Sequence, residues 1–275
     1  MFLLGGSDFP NDNATLLAAL PESLAPLGLG APAVALEGMF PSFAAVRVDL
    51  SGARFQRGQR VAGASSEMKD GFFSRVVEIK AAPAQFERLP FSFSFRAEDC
   101  VVAYGHAAEG ARVGILQRCP GGSVEAEISV ADAEAALLIL ANDAASGFGA
   151  SVQSVRIALE AGGPRRIAIT ATAVAKALMT TATLTLRGRL EVDDTFNARL
   201  SDITCTGDGM IANLAAGQLR PRLEELENWS FPLASVLPAG LEFSDIALEA
   251  GAGLQVRAAF RAERAGTGTP AIAAP

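Results

Sequence analysis

The chain has 275 residues, half of them apolar, 19% charged and 7% aromatic, and its 23 Lys and Arg against 30 Asp and Glu leave a net charge of −7. This is too apolar for a disordered chain and long enough to bury roughly 70–75% of the unfolded surface. The 27 glycines and 14 prolines follow no repeat, which excludes collagen-like and low-complexity architectures. Basic residues form no cluster and the first is Arg47, so no nucleic-acid partner is expected.

The N-terminus, Met1-Phe2-Leu3-Leu4-Gly5-Gly6, lacks a positive n-region and soon meets Asp8 and Asp12. It does not read as a signal peptide, and no apolar run is long enough to span a bilayer. The expectation is a soluble protein: of the cell envelope or periplasm if a leader has been removed, otherwise cytoplasmic. Cys100, Cys119 and Cys205 make an odd count without CxxC spacing, so they read as buried free thiols, with a Cys100–Cys119 bridge left open.

In chain order, residues 1–34 read as an N-terminal extension with a short helix from Asn13 to Leu20, stopped near Pro21 or Pro26. Strands follow, marked by period-two alternation: Val46, Val48 and Leu50; Phe91, Phe93 and Phe95; Val124, Ala126 and Ile128. Ser129 with Asp132 three positions on is an acidic capping box, and Leu137, Leu140, Ala141 and Ala144 share a face, so a helix is predicted over 130–146. An antiparallel meander comes next, through Val155, Ile157 and Leu159, then Ile167 and Ile169, then Leu184, Leu186 and Leu190. The alternation slips after Leu200, which predicts a bulge near Ser201-Asp202. A helix is expected after Gly207-Asp208-Gly209, kinked or split at Pro221. Two strands, Leu241–Leu248 and one around Val256 and Phe260, close a domain expected over 35–261, with 262–275 as a flexible tail.

The search for chemistry returns little. His106 is the single histidine and falls in a stretch that reads as a polar loop, no G-x-S-x-G elbow occurs, and HExxH needs two imidazoles. Gly207-Asp208-Gly209-Met210-Ile211-Ala212 spells G-x-G-x-x-A, but a meander precedes it, not a βαβ unit, and the acids some 20 residues on lie in the predicted helix. Asp193-Asp194 reads as a polar turn. No metal or cofactor is expected, and no pair among the 30 acids stands out as catalytic.

Many apparent inner residues are small: Ala168, Ala171, Ala173, Ala182, Ala198, Ala212, Ala215 and Ala216. They either let helix and sheet approach closely or leave room for a ligand. The Val124–Ile128 strand with its capped helix, the Thr181–Leu190 strand, the Gly207-Asp208-Gly209 helix entry and Leu237-Pro238-Ala239-Gly240-Leu241 occur in the order seen in the LmeA-like bacterial lipid-binding proteins. Over 123–260, and more loosely over 35–122, the chain resembles that family. The resemblance implies an α+β fold in which a strongly curved antiparallel β-sheet wraps around one or two long α-helices (TULIP-like), with an apolar groove between. It also implies non-catalytic binding or transport of a lipid or other apolar small molecule, with transient membrane contact.

Candidate lining residues are Leu137 and Leu140 on the first long helix, Leu184, Leu186 and Leu200 on strands, and Ile211, Leu214 and Leu219 on the second. Trp229 and Phe231 would stand at a groove mouth or be buried at a helix–sheet junction. The alternative is a structural or protein-interaction module with a filled core; a third reading is a hydrolase or isomerase using paired carboxylates.

Overall fold

Period-two alternation carries most of the chain into strands, and the strands gather into two sheets. The computed structural model describes residues 2–5, 8–24, 27–29, 33–55, 68–107, 110–146, 150–177, 180–227, 230–237 and 241–262. The first half comprises β1 (Phe2–Leu3), α1 (Asn13–Leu24), β2 (Ala33–Met39), β3 (Ser42–Asp49), β4 (Arg54–Phe55), β5 (Lys69–Phe86), β6 (Leu89–His106), β7 (Arg112–Arg118) and β8 (Gly121–Ser129). The second half comprises α2 (Val130–Ser146), β9 (Ala150–Gly163), β10 (Arg166–Ala177), β11 (Thr180–Val192), β12 (Asn197–Asp208), α3 (Met210–Glu227), β13 (Ser230–Pro232), β14 (Leu241–Ala250) and β15 (Gly253–Ala262).

The first sheet has ten strands in the order β14-β15-β8-β6-β5-β3-β2, with β7 and β4 pairing on β6 and β5 and β1 on β7. Its pairs are antiparallel apart from β3–β5 and β4–β5. Its spine is the β5–β6 hairpin, two strands of 18 residues each turned by Glu87 and Arg88, with Glu87 at φ 55°. The second sheet is the predicted meander, ordered β13-β12-β11-β10-β9. The slip in β12 falls where the alternation breaks: Asp202 has φ 54° and the β11–β12 register shifts opposite it. α2 begins as its capping box dictates, the Asp132 N–H donating to Ser129 Oγ at 3.0 Å and the Ser129 hydroxyl donating to the Asp132 carboxylate at 2.6 Å.

The main core lies between the sheets. Ile167, Val192 and Ala198 from the meander meet Phe243, Ile246, Leu248, Ala258 and Phe260 from β14 and β15, with Ala97, Cys100 and Cys119 alongside. The β9–β10 turn docks on β14, where the Leu248 N–H donates to the Pro164 carbonyl at 2.6 Å. Two smaller clusters lie elsewhere on the first sheet, one joining α1 through Leu16, Ala19 and Leu20 to Phe43, Phe72 and Tyr104, the other around Leu50, Ala53, Ala81 and Ala84.

This overturns the expected fold of one curved sheet wrapped round a long helix. Strands dominate, there are two large sheets, and no sheet wraps round any of the described helices, of 12, 17 and 18 residues. The physical reason is that the apolar face of β8, β14 and β15 is met by the apolar face of another sheet, so the sheets pack face to face. A wrapped helix would be buried all round, whereas α2 leaves Leu137, Ile139 and Leu140 exposed. Smaller corrections follow. α1 continues through Pro21 to Leu24, α3 runs through Pro221 as one helix, and His106 lies in β6 opposite Arg112, not in a loop. Ala168 faces away from the intersheet core, because its neighbour Ile167 is the residue buried there.

Candidate functional site

The register of the second sheet fixes which side chains share its inner face. Leu159, Ile167 and Ile169, Leu190 and Val192, and Ala198 occupy one end and close against the first sheet. The same face continues along the strands, through Val155 and Ile157 on β9, Ala171 and Ala173 on β10, Leu186 and Leu184 on β11, and Cys205 and Gly207 on β12. At this end none of these residues belongs to the intersheet core. Leu184 is half-buried and Leu186 is 37% exposed.

Two helices border this open end. α2 runs beside β9, the edge strand, and satisfies its outward backbone groups with side chains. The Val152 N–H donates to Asn142 Oδ1 at 2.8 Å, Asn142 Nδ2 donates back to the Val152 carbonyl at 2.9 Å, and the Ile157 N–H donates to Glu134 at 2.8 Å. A helix that covers a sheet edge removes its capacity to pair with other chains. α3 packs on β12, with Ala212 and Ala216 buried. A Cβ at Gly207 would stand 2.2 Å from the Ala212 carbonyl carbon, so glycine is what allows the first turn of α3 to rest on the inner face of the strand.

Between α2 and α3 the β10–β11 pair forms an apolar floor. α2 adds a stripe of its own: Leu137 and Leu140, 40% and 51% exposed, lie on the flank turned from the Glu134 and Asn142 that hold β9. By register Leu184 and Leu186 stand together on this face, while Leu137 and Leu140 are exposed on the helix beside its edge strand. Leu200, opposite Leu190, and Phe231, opposite Ala198, sit half-buried at the closed end. The side chains of Ile211, Leu214 and Leu219, and Trp229 as a whole, lie outside the described residues. Ile157, Ala171 and Ala173, half-buried, share this face, as does the buried Val155; their alternation is readable in the sequence, but only the register shows that they neighbour Leu184 and Leu186.

Among the described residues of this face the titratable side chain is the Cys205 thiol, pushed up by burial. Among the described residues no group of three or more His, Cys, Asp or Glu could hold a metal. His106 packs edge-on against Phe9 at 5.0 Å, in a polar depression of about 450 Å³ with Leu4, Gly110, Ala111 and Arg112. No helix among the described residues is long and apolar enough to cross a membrane. No family model, curated protein or solved structure matches the chain.

Proposed function

We propose that this protein binds a lipid or another long apolar ligand in the trough between α2 and α3, without catalysing a reaction on it. The observation that carries the reading is that the apolar inner face of the second sheet continues past the intersheet core, through Ile157, Ala171, Ala173, Leu184 and the 37%-exposed Leu186, with Leu137 and Leu140 of α2 also exposed. A contiguous exposed apolar surface bordered by polar residues marks a binding site in a folded chain. An acyl chain entering it gains about 0.8 kcal/mol for each methylene removed from water. Ala171 and Ala173 on that face are small, which suits a chain lying across the sheet. The resemblance of residues 123–260 to LmeA-like lipid-binding proteins points the same way, for the function and not for the fold.

The test is native mass spectrometry of the detergent-free protein, paired with solvent extraction and displacement of a fluorescent fatty acid. Co-purified lipid, or saturable displacement by fatty acids, is the expected result. A protein that is empty and binds no fatty acid at micromolar concentration overturns the reading.

A further inference from the structure

Cys100 and Cys119 stand directly opposite each other. On one side Glu98 of β6 pairs with Gly121 of β8, and on the other Val101 pairs with Arg118 of β7. The register is the same on both sides of the β7–β8 junction, so carrying it through sets Cys100 across from Cys119. Opposed residues of an antiparallel pair have Cα atoms about 4.5–5.5 Å apart, inside the window of roughly 4.4–6.8 Å that a disulfide bridges. Asp99, at φ 48°, shifts the phase of β6, so that Glu98 and Asp99 both face solvent and Cys100 turns inward. The two thiols are 0% and 2% exposed in the intersheet core. Each donates to a backbone carbonyl, Cys100 to Glu98 at 3.7 Å and Cys119 to Gly121 at 3.5 Å.

We propose that Cys100 and Cys119 are a disulfide-forming pair, joined across β6 and the β7–β8 junction by exchange with a small-molecule or protein disulfide while the chain folds. The thiolate of one cysteine attacks one sulfur of the oxidant, forming a mixed disulfide and expelling one thiolate. The other cysteine then gives up its proton and attacks the first cysteine's Sγ, which breaks the mixed bond and expels the second thiolate. The protein loses two electrons and two protons, and the oxidant becomes two thiols. In the folded chain the neighbouring Cys100, with backbone groups of Gly121 and Glu98, holds the Cys119 thiol below its usual range against the effect of burial. The same contact, and then burial, holds Cys100 well above the usual thiol range. These shifts belong to the folded core and do not set which sulfur attacks first: burial of both places the reaction before the sheets close, since an oxidant reaches neither in the folded chain.

The experiment uses the full chain, refolded from denaturant in reduced and oxidised glutathione, then alkylated in denaturant and mapped without reduction. The same mapping is run on never-unfolded protein held in oxidised glutathione just below its melting temperature. The expected result in the natively folded fraction is a loss of two of the three alkylatable thiols, with one linked peptide pair containing Cys100 and Cys119 and with Cys205 alkylated. The variant Cys205→Ser keeps the same link. Folded protein with all three thiols alkylated, with Cys205 in the link, or with Cys100 and Cys119 joined only to glutathione overturns the proposal.

Discussion

Replacing Asn142 with leucine, a side chain of similar size, tests how the wall of the trough is attached to its floor. Asn142 meets both outward backbone groups of Val152, accepting from its N–H at 2.8 Å and donating to its carbonyl at 2.9 Å. It also donates to the Leu138 carbonyl of its own helix at 3.0 Å. Leucine fills the space and removes all three bonds. The Leu138 carbonyl lies within α2, where the helical ladder supplies a donor, so its loss costs little. The two Val152 groups have no replacement within the sheet, because β9 pairs with β10 on its other side. Each net hydrogen bond contributes about 1 kcal/mol, and a buried group left unpaired costs about 1–3 kcal/mol. Val152 and Asn142 are half-buried, so water satisfies part of the demand, and the expected destabilisation is about 2–3 kcal/mol. Urea unfolding should show a lower midpoint at constant slope, and the Val152 amide should exchange its hydrogen faster than its neighbours on β10. A change below about 0.5 kcal/mol, within the ordinary range for surface substitutions, with Val152 exchange unaltered, would refute the edge-capping role.

Three further outcomes are expected. Ile167→Ala, at a fully buried position in the intersheet core, should cost about 2–5 kcal/mol in urea unfolding, while Ala168→Ser on the opposite face of β10 should stay within about 0.5 kcal/mol. Asp193 accepts from the Asn197 N–H at 2.9 Å, the Thr195 hydroxyl at 2.7 Å and the Thr195 N–H at 2.9 Å, which hold its carboxyl below the ordinary 3.8. Its folded pKa is depressed, so its stabilisation is complete above the unfolded value and is lost as pH falls through the folded one; thermal melts of Asp193→Asn should therefore depend less on pH below 3.8 than those of the parent. Leu186→Glu puts a carboxylate on the trough floor, and fatty-acid displacement should show at least about a tenfold loss of affinity with an unchanged circular dichroism spectrum, since Leu186 lies outside the intersheet core.

The second half of the chain was legible because its signals are local. The Ser129–Asp132 cap, the alternation through Val155, Ile157 and Leu159, Ile167 and Ile169, and Leu184 and Leu186, and the slip at Ser201-Asp202 each involve residues close in sequence. The β5–β6 hairpin was only partly legible, because its alternation changes phase. The register shifts between Ala81 and Ala84, and Asp99 turns β6 over, so residues 69–106 never present one continuous inner series. The fold was misjudged for a related reason. An apolar strand face shows that something covers it, and nothing in Val124, Ala126 and Ile128 distinguishes a helix from a second sheet as the cover. The apolar periodicity of α2 likewise predicts a stripe at Leu137 and Leu140 without saying whether the fold covers it. Pro21 reads as a stop and Pro221 as a kink or split, yet each lies within one helix, where tertiary packing of Leu16, Ala19 and Leu20 in α1 and of Ala212 and Ala216 in α3 outweighs one lost backbone bond.

The way the two helices are fixed explains why leucines remain free. α2 is tied to β9 by Asn142 and Glu134, and Glu134 also receives the Arg156 guanidinium at 3.0 Å; α3 rests on β12 through Gly207, Ala212 and Ala216. Among the described side chains, polar groups hold α2 and small residues hold α3, and on α2 Leu137, Ile139 and Leu140 are left exposed. Leu137, Leu140 and Leu186 already lie partly in water in the empty protein, so covering them with a ligand breaks no packing contact of the fold. The gain from removing that surface from water then goes to ligand affinity, less the cost of immobilising the ligand, and no conformational opening has to precede binding. On this geometry the on-rate of a fatty acid should be insensitive to substitutions in the intersheet core that leave the fold intact, whereas a site buried inside that core would open faster as the core is weakened.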